Sequence, residues 1–141
     1  MNTEAINKYI PIALSYYKEI ADYYEELLKK DGITEVIKQA AEGRVPTIRI
    51  GIQTSFAKHQ HRVGKTKCVQ GAIELLKKKN VQAIDSATSF EGVFKVTESV
   101  KHLTYGLGDL WSYDTAQRIA LSKGFYPVSY THLTLPTKVT V

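Results

Sequence analysis

Cysteine occurs once in the 141 residues, at Cys68, tryptophan once, at Trp111, and proline only four times. A single thiol excludes an intrachain disulfide and any zinc site built from several cysteines. No apolar run approaches the roughly 18 residues that a membrane-spanning helix needs, and the first residues do not read as a charged-then-apolar leader. The expectation is a cytoplasmic protein of a bacterium or phage with no membrane partner. Neither internal repeats nor low-complexity linkers are visible, and the length suits one domain with a single core. Against these absences stands a modest excess of Lys and Arg over Asp and Glu, 19 to 14, for a net charge of +5. That balance admits an anionic partner without requiring one.

Apolar spacing predicts a mainly α fold: a small orthogonal helical domain with one short extended segment at 47–53. Ile6, Ile10, Ala13, Tyr17, Ile20, Tyr24 and Leu27 recur in steps of three and four, so one stripe runs along a first helix. Pro11 kinks that helix or restarts it, because it lacks an N–H and crowds the carbonyl of Asn7. Lys29-Lys30-Asp31-Gly32 closes it with cations at the negative end of the dipole and a glycine suited to a left-handed cap. Tyr9, Tyr16, Tyr17, Tyr23 and Tyr24 could form a base-stacking platform, but their helical spacing favours core and rim. A short second helix carries Val36, Ile37, Ala40 and Ala41 and stops at Gly43. Ile48, Ile50 and Ile52 then alternate with Arg49 and Gly51, the period of extended chain, with no visible strand partner. A third helix is expected from about Lys65 to Lys79, with Val69, Ala72, Ile73 and Leu76 inward and Asn80 as its stop. A fourth starts at Thr88-Ser89-Phe90-Glu91, read as a capping box between Thr88 and Glu91, and buries Phe90, Val93, Phe94, Thr97 and Val100.

Three stretches could carry chemistry. Val63-Gly64-Lys65-Thr66 has the end of a phosphate-binding loop, but His59 stands where the pattern needs its first glycine, which argues against nucleotide binding. Lys58-His59-Gln60-His61-Arg62 is a dense polar cluster; in extended chain His59 and His61 point the same way, close enough to share a metal or a phosphate. Two histidines make half a zinc site and no third ligand is suitably spaced, so no metal and no cofactor are expected. The cluster, with Arg62, reads as a basic loop that caps the next helix or touches an anion.

The richest constellation is "HLTYGLGDLWSYDTAQRI", from His102 to Ile119. A helix, a turn at Gly106-Leu107-Gly108, and a second helix with Ala116 and Ile119 resemble the helix-hairpin-helix module. The resemblance implies a nucleic-acid partner, DNA or RNA, gripped by its backbone. Two glycines expose backbone N–H groups at a helix N-terminus, where the dipole favours a phosphate oxygen. Leu107 would plug into the helix pair, and Lys101 and Lys123, flanking the turn in sequence, would add cations. Asp109 departs from the usual module by placing a carboxylate at the turn, and the Thr-Ala pair arrives later than usual. A helix corner that needs glycine for sterics alone fits the same residues. Asp114 and Arg118 stand four apart and can pair on one helix face, a bond worth a few tenths of a kcal/mol if exposed.

More of the chain, from about Lys58 to Pro127, resembles an uncharacterised family of small bacterial and phage helical proteins. The resemblance rests on His59-x-His61 followed by a basic residue, Gly-Leu-Gly-Asp-Leu, Tyr113-Asp114-Thr115-Ala116-x-Arg118-Ile119 and Gly124-Phe125-Tyr126-Pro127. It implies no established activity. Relatives of that kind run on past this point with further Tyr, His and Gly positions. Two further readings stay open beside backbone binding: a glycosylase-like DNA-processing enzyme whose catalytic acid lies beyond the hairpin helix, and a protein-interaction module that docks through the Tyr-rich first helix.

The last residues have an explanation outside biology. The transposase end sequence used in shotgun-library adapters translates in one frame as VSYTHLTLPT, the order of residues 128–137. Pro127 ends in the bases this frame requires, an index word supplies Lys138, Val139 and Thr140, and the adapter then reads Val141 and a stop. Residues 1–126 are therefore expected to be the single helical domain, truncated at its C-terminus, and 127–141 an adapter-derived tail that belongs outside fold reasoning. The alternative is a natural Thr-rich strand. Genomic reads extending past Tyr126 should part from this tail at Pro127.

Overall fold

The computed structural model describes residues 18–46, 54–56, 64–104 and 106–126. Its elements in chain order are α1 (18–31), α2 (Ile33–Glu42), β1 (Arg44–Pro46), β2 (Thr54–Phe56), α3 (Lys65–Leu75), α4 (Lys78–Ser86), α5 (Phe90–Lys101) and α6 (Asp109–Ser122). The domain is mainly helical. Pro11, the predicted extended segment 47–53, the His59/His61/Arg62 cluster and the tail 127–141 lie outside the described residues.

Among the described residues the first two helices follow the expected faces; Ile6, Ile10, Ala13 and Tyr17 of the first stripe lie outside them. Ile20, Tyr24 and Leu27 are buried on α1, and Val36, Ile37, Ala40 and Ala41 on α2. Gly43, at φ 82°, ends α2 in the left-handed conformation, which glycine adopts without the Cβ clash that other residues suffer. Tyr24 is fully buried and its hydroxyl donates to the Arg44 carbonyl at 2.5 Å, while the Tyr23 hydroxyl donates to Gln39. Both tyrosines thus tie α1 to the elements that follow. On either side of the isoleucine run, β1 and β2 pair antiparallel, with Val45 opposite Ser55.

The third predicted helix is corrected into two. α3 stops at Leu75, and Lys77, Lys78 and Lys79 open α4. Asn80 marks the junction: buried, its Nδ2 donates from inside the next helix to the Glu74 carbonyl at 2.8 Å, beside the Lys77 N–H that reaches the same oxygen at 3.2 Å. The inward face of α3 is also rotated from expectation. Cys68, Gly71, Ala72 and Leu75 are buried, whereas Ile73 is 59% exposed. Gly71 sets that rotation, since a Cβ there would stand 2.6 Å from Cζ2 of Trp111 and 2.9 Å from Cδ1 of Leu107. The absence of a side chain lets the indole and the leucine lie against the α3 backbone.

α5 begins one residue later than the capping-box reading. Ser89, not Thr88, is the N-cap, its Oγ accepting from the Gly92 N–H at 3.2 Å. Phe90, Val93, Thr97 and Val100 are buried as expected, with Phe94 half-buried against Phe90 and Tyr113. α6 is the central helix. It packs along α5 and across α2, and every residue from Thr115 to Ser122 is buried. That half of the helix, covered on all sides, has no solvent face to mark it in a sequence.

Candidate functional site

The α5–α6 connection brings Lys101, Gly106, Leu107 and Gly108 together. Leu107 is buried and anchors the turn against Gly71 of α3. Its N–H donates to the Thr104 carbonyl at 3.3 Å. The two glycines differ in why they are there. Gly106 has φ 92° and a Cβ on it would run into the Lys67 side chain, so its backbone demands glycine. Gly108, the N-cap of α6, has extended backbone, with nothing within 4 Å of where a Cβ would stand. No side chain caps the N–H groups that open α6.

The cations expected to serve a ligand at this turn are engaged within the fold. Lys101 Nζ lies 2.7 Å from Glu98 Oε2 and 2.5 Å from Asp109 Oδ1. Those hydrogen bonds hold the ammonium above its ordinary pKa, the Asp109 bond first, and hold the Asp109 carboxyl below its own. Glu98 is lowered by Lys101 and then by Ser112, whose hydroxyl donates to it at 2.7 Å. Lys123 is one residue past the end of α6, so about 20 Å of helix separates it from the turn at 1.5 Å rise per residue. Its Nζ donates to the carbonyls of Ile84 at 2.6 Å and Asp85 at 2.9 Å. It caps the end of α4, and burial pulls its pKa down.

Asp114 and Arg118 both lie on α6, and Arg118 is turned to the core. Arg118 is 2% exposed, and its Nη1 crosses to the Ala40 carbonyl at 3.0 Å. Beside it Trp111 Nε1 donates to the Ala41 carbonyl at 2.9 Å. Two α6 side chains thus close the C-terminus of α2, where a cation also complements the dipole. Cys68 is buried nearby and its thiol is pushed up to about 11, mainly by burial, which leaves it protonated and unreactive at neutral pH. Among the described residues no group of three or more His, Cys, Asp or Glu could hold a metal, and no helix is long and apolar enough to cross a membrane.

Lys78, Lys79 and Lys95 are a different set. All are exposed, and among the described residues none makes an ion pair, whereas Lys77 beside them is bound to Glu74 at 3.0 Å. Sequence reading missed them as a site because Lys77-Lys78-Lys79 looked like the cationic end of a helix, where lysines are ordinary. It also passed over Gly71, although a glycine inside a helical pattern with no turn to explain it marks a close approach. Comparison with protein-family models, with curated proteins and with solved structures gives no match.

Proposed function

We propose that this helical protein holds a nucleic-acid backbone without sequence preference, the turn before α6 supplying backbone N–H groups to a phosphate. The observation that supports this reading is the uncapped start of α6 beside Gly108, where open space lets a phosphate oxygen approach the main chain. Leu107, buried on Gly71, keeps the turn in place without a ligand. Lys101 and Lys123 play no direct part, since both ammonium groups are engaged within the fold. Asp109 is turned to Lys101, so its charge is balanced rather than aimed at an incoming anion.

Gly108 gives a clean test because the fold does not need glycine there. Gly108→Val should leave helical content by circular dichroism intact and stability within about 1 kcal/mol of the parent. It should remove binding to a labelled DNA duplex at low salt. Undiminished affinity in the folded variant would reject the turn as a phosphate contact.

A second reading, docking of a protein partner, has its own observation. Ile73 and Leu103 are 59% and 68% exposed and together line a shallow hollow of about 290 Å³. Salt separates the two: counterion release makes nucleic-acid affinity fall steeply as salt rises, and apolar docking does not.

A further inference from the structure

We propose that the groove between α4 and α5 is a second seat of the phosphodiester backbone, with Lys79 and Lys95 as its phosphate contacts; this rests on the reading above. The groove has a volume of about 460 Å³, and Lys79, Ala83 and Ala87 of α4 face Gly92, Lys95 and Ser99 of α5 across it. No carboxylate lines it. The two ammonium groups come from opposite walls, and among the described residues neither makes an ion pair. A polyanion laid along this groove therefore meets cations that have no competing partner to release. That is the difference from the α5–α6 turn, where Lys101 would have to leave two carboxylates.

The walls favour a strand over a peptide. Side chains between the lysines are small, and the helices come close at Gly92, where a Cβ would stand 3.2 Å from that of Ala87. Small walls let a sugar-phosphate chain settle between the cations, but they offer no deep apolar pocket for the large anchors that carry protein docking. The hydroxyls along the groove are already spent on their own helices: Ser99 donates to the Val96 carbonyl at 2.7 Å and Ser86 to the Gln82 carbonyl at 2.8 Å. Recognition is left to charge, which reads phosphates and not bases. Lys78 and Lys79 add to the same field from the first turn of α4, which holds no acidic residue.

The test compares the full chain with Lys79→Gln, Lys95→Gln and the double variant, using Lys29→Gln on α1 as a control for net charge. Anisotropy of a labelled duplex is followed against salt, with circular dichroism confirming that each exposed substitution leaves the fold unchanged. Each groove substitution should lower the salt slope by about one unit and weaken all sequences alike, and the double variant should lose about two. Lys29→Gln should leave the slope as it was. If the parent binds and Gly108→Val abolishes binding while the double variant keeps the full slope, the groove is excluded and the turn stands. Equal competition by a poly-glutamate peptide of matching charge would assign the groove to acidic protein and overturn the proposal. A folded parent that binds no duplex at low salt would end the nucleic-acid reading and the groove with it.

Discussion

Gly71 shows how one atom group decides the interior. An alanine in a helix is ordinarily better than a glycine by about 1 kcal/mol, so Gly71→Ala would stabilise α3 if the residue faced solvent. It instead faces Trp111 and Leu107 at distances no real Cβ keeps, and overpacking of this kind costs about 1–3 kcal/mol. Gly71→Ala is therefore expected to lower the thermal midpoint despite the better helix former. The chain's one tryptophan is fully buried at the contact, so its fluorescence reports the loss directly. A rise in the midpoint would mean that the indole does not lie on this glycine. Arg118 makes the same point about charge: helical spacing sets it four residues from Asp114, yet its guanidinium closes α2 from the core.

At the scale of elements, the junction of α3 and α4 depends on Asn80. Its side chain satisfies the Glu74 carbonyl while its own residue sits in α4, so it joins two helices that periodicity merges into one. Asn80→Ala removes that bond at a nearly buried position and should cost about 1 kcal/mol, seen as a lower urea midpoint with an unchanged slope. An unchanged midpoint would show that the junction is held by packing alone. Because α4 carries one wall of the Lys79/Lys95 groove, the same variant should also bind duplex more weakly. α5 is joined to α6 by Thr97, whose buried hydroxyl donates to the Ser112 carbonyl at 2.8 Å, and by the Glu98–Lys101–Asp109 cluster.

For the whole molecule, that cluster sets a pH window. Glu98 and Asp109 are held below their ordinary values of 4.5 and 3.8, chiefly by hydrogen bonds from Lys101. Their contribution is present above those values and is lost as pH falls through the folded-state values. Lys101 is held above its ordinary 10.5, first by Asp109 and then by Glu98. Its contribution is present below 10.5 and is lost as pH rises through the folded value. The cluster's own contribution should be level from roughly pH 5 to pH 10 and decline on both sides. Lys101→Met should flatten the acid limb, measured by urea midpoints against pH; an acid limb identical to the parent's would show that the cluster contributes nothing. High salt should weaken duplex binding far more than it weakens the fold, because the core elements are held by apolar burial and the groove by charge.

Local patterns in the sequence determined what local physics controls. The stripe through Ile20, Tyr24 and Leu27, the face of α2 with its stop at Gly43, and the buried side of α5 all follow from helical spacing and capping within a few residues. The mildly basic balance was equally plain. Tertiary structure alone decided where the chain's polar groups went. Trp111 and Arg118 meet carbonyls 70 and 78 residues away, and no periodicity encodes a partner at that distance. The division of α3 from α4 and the turning of Ile73 to solvent depend on what Asn80 and Gly71 touch. Lys101 and Lys79 look alike in the sequence. One is enclosed by two carboxylates and the other is open along a groove, because charge becomes available or spent only when the helices around it are packed.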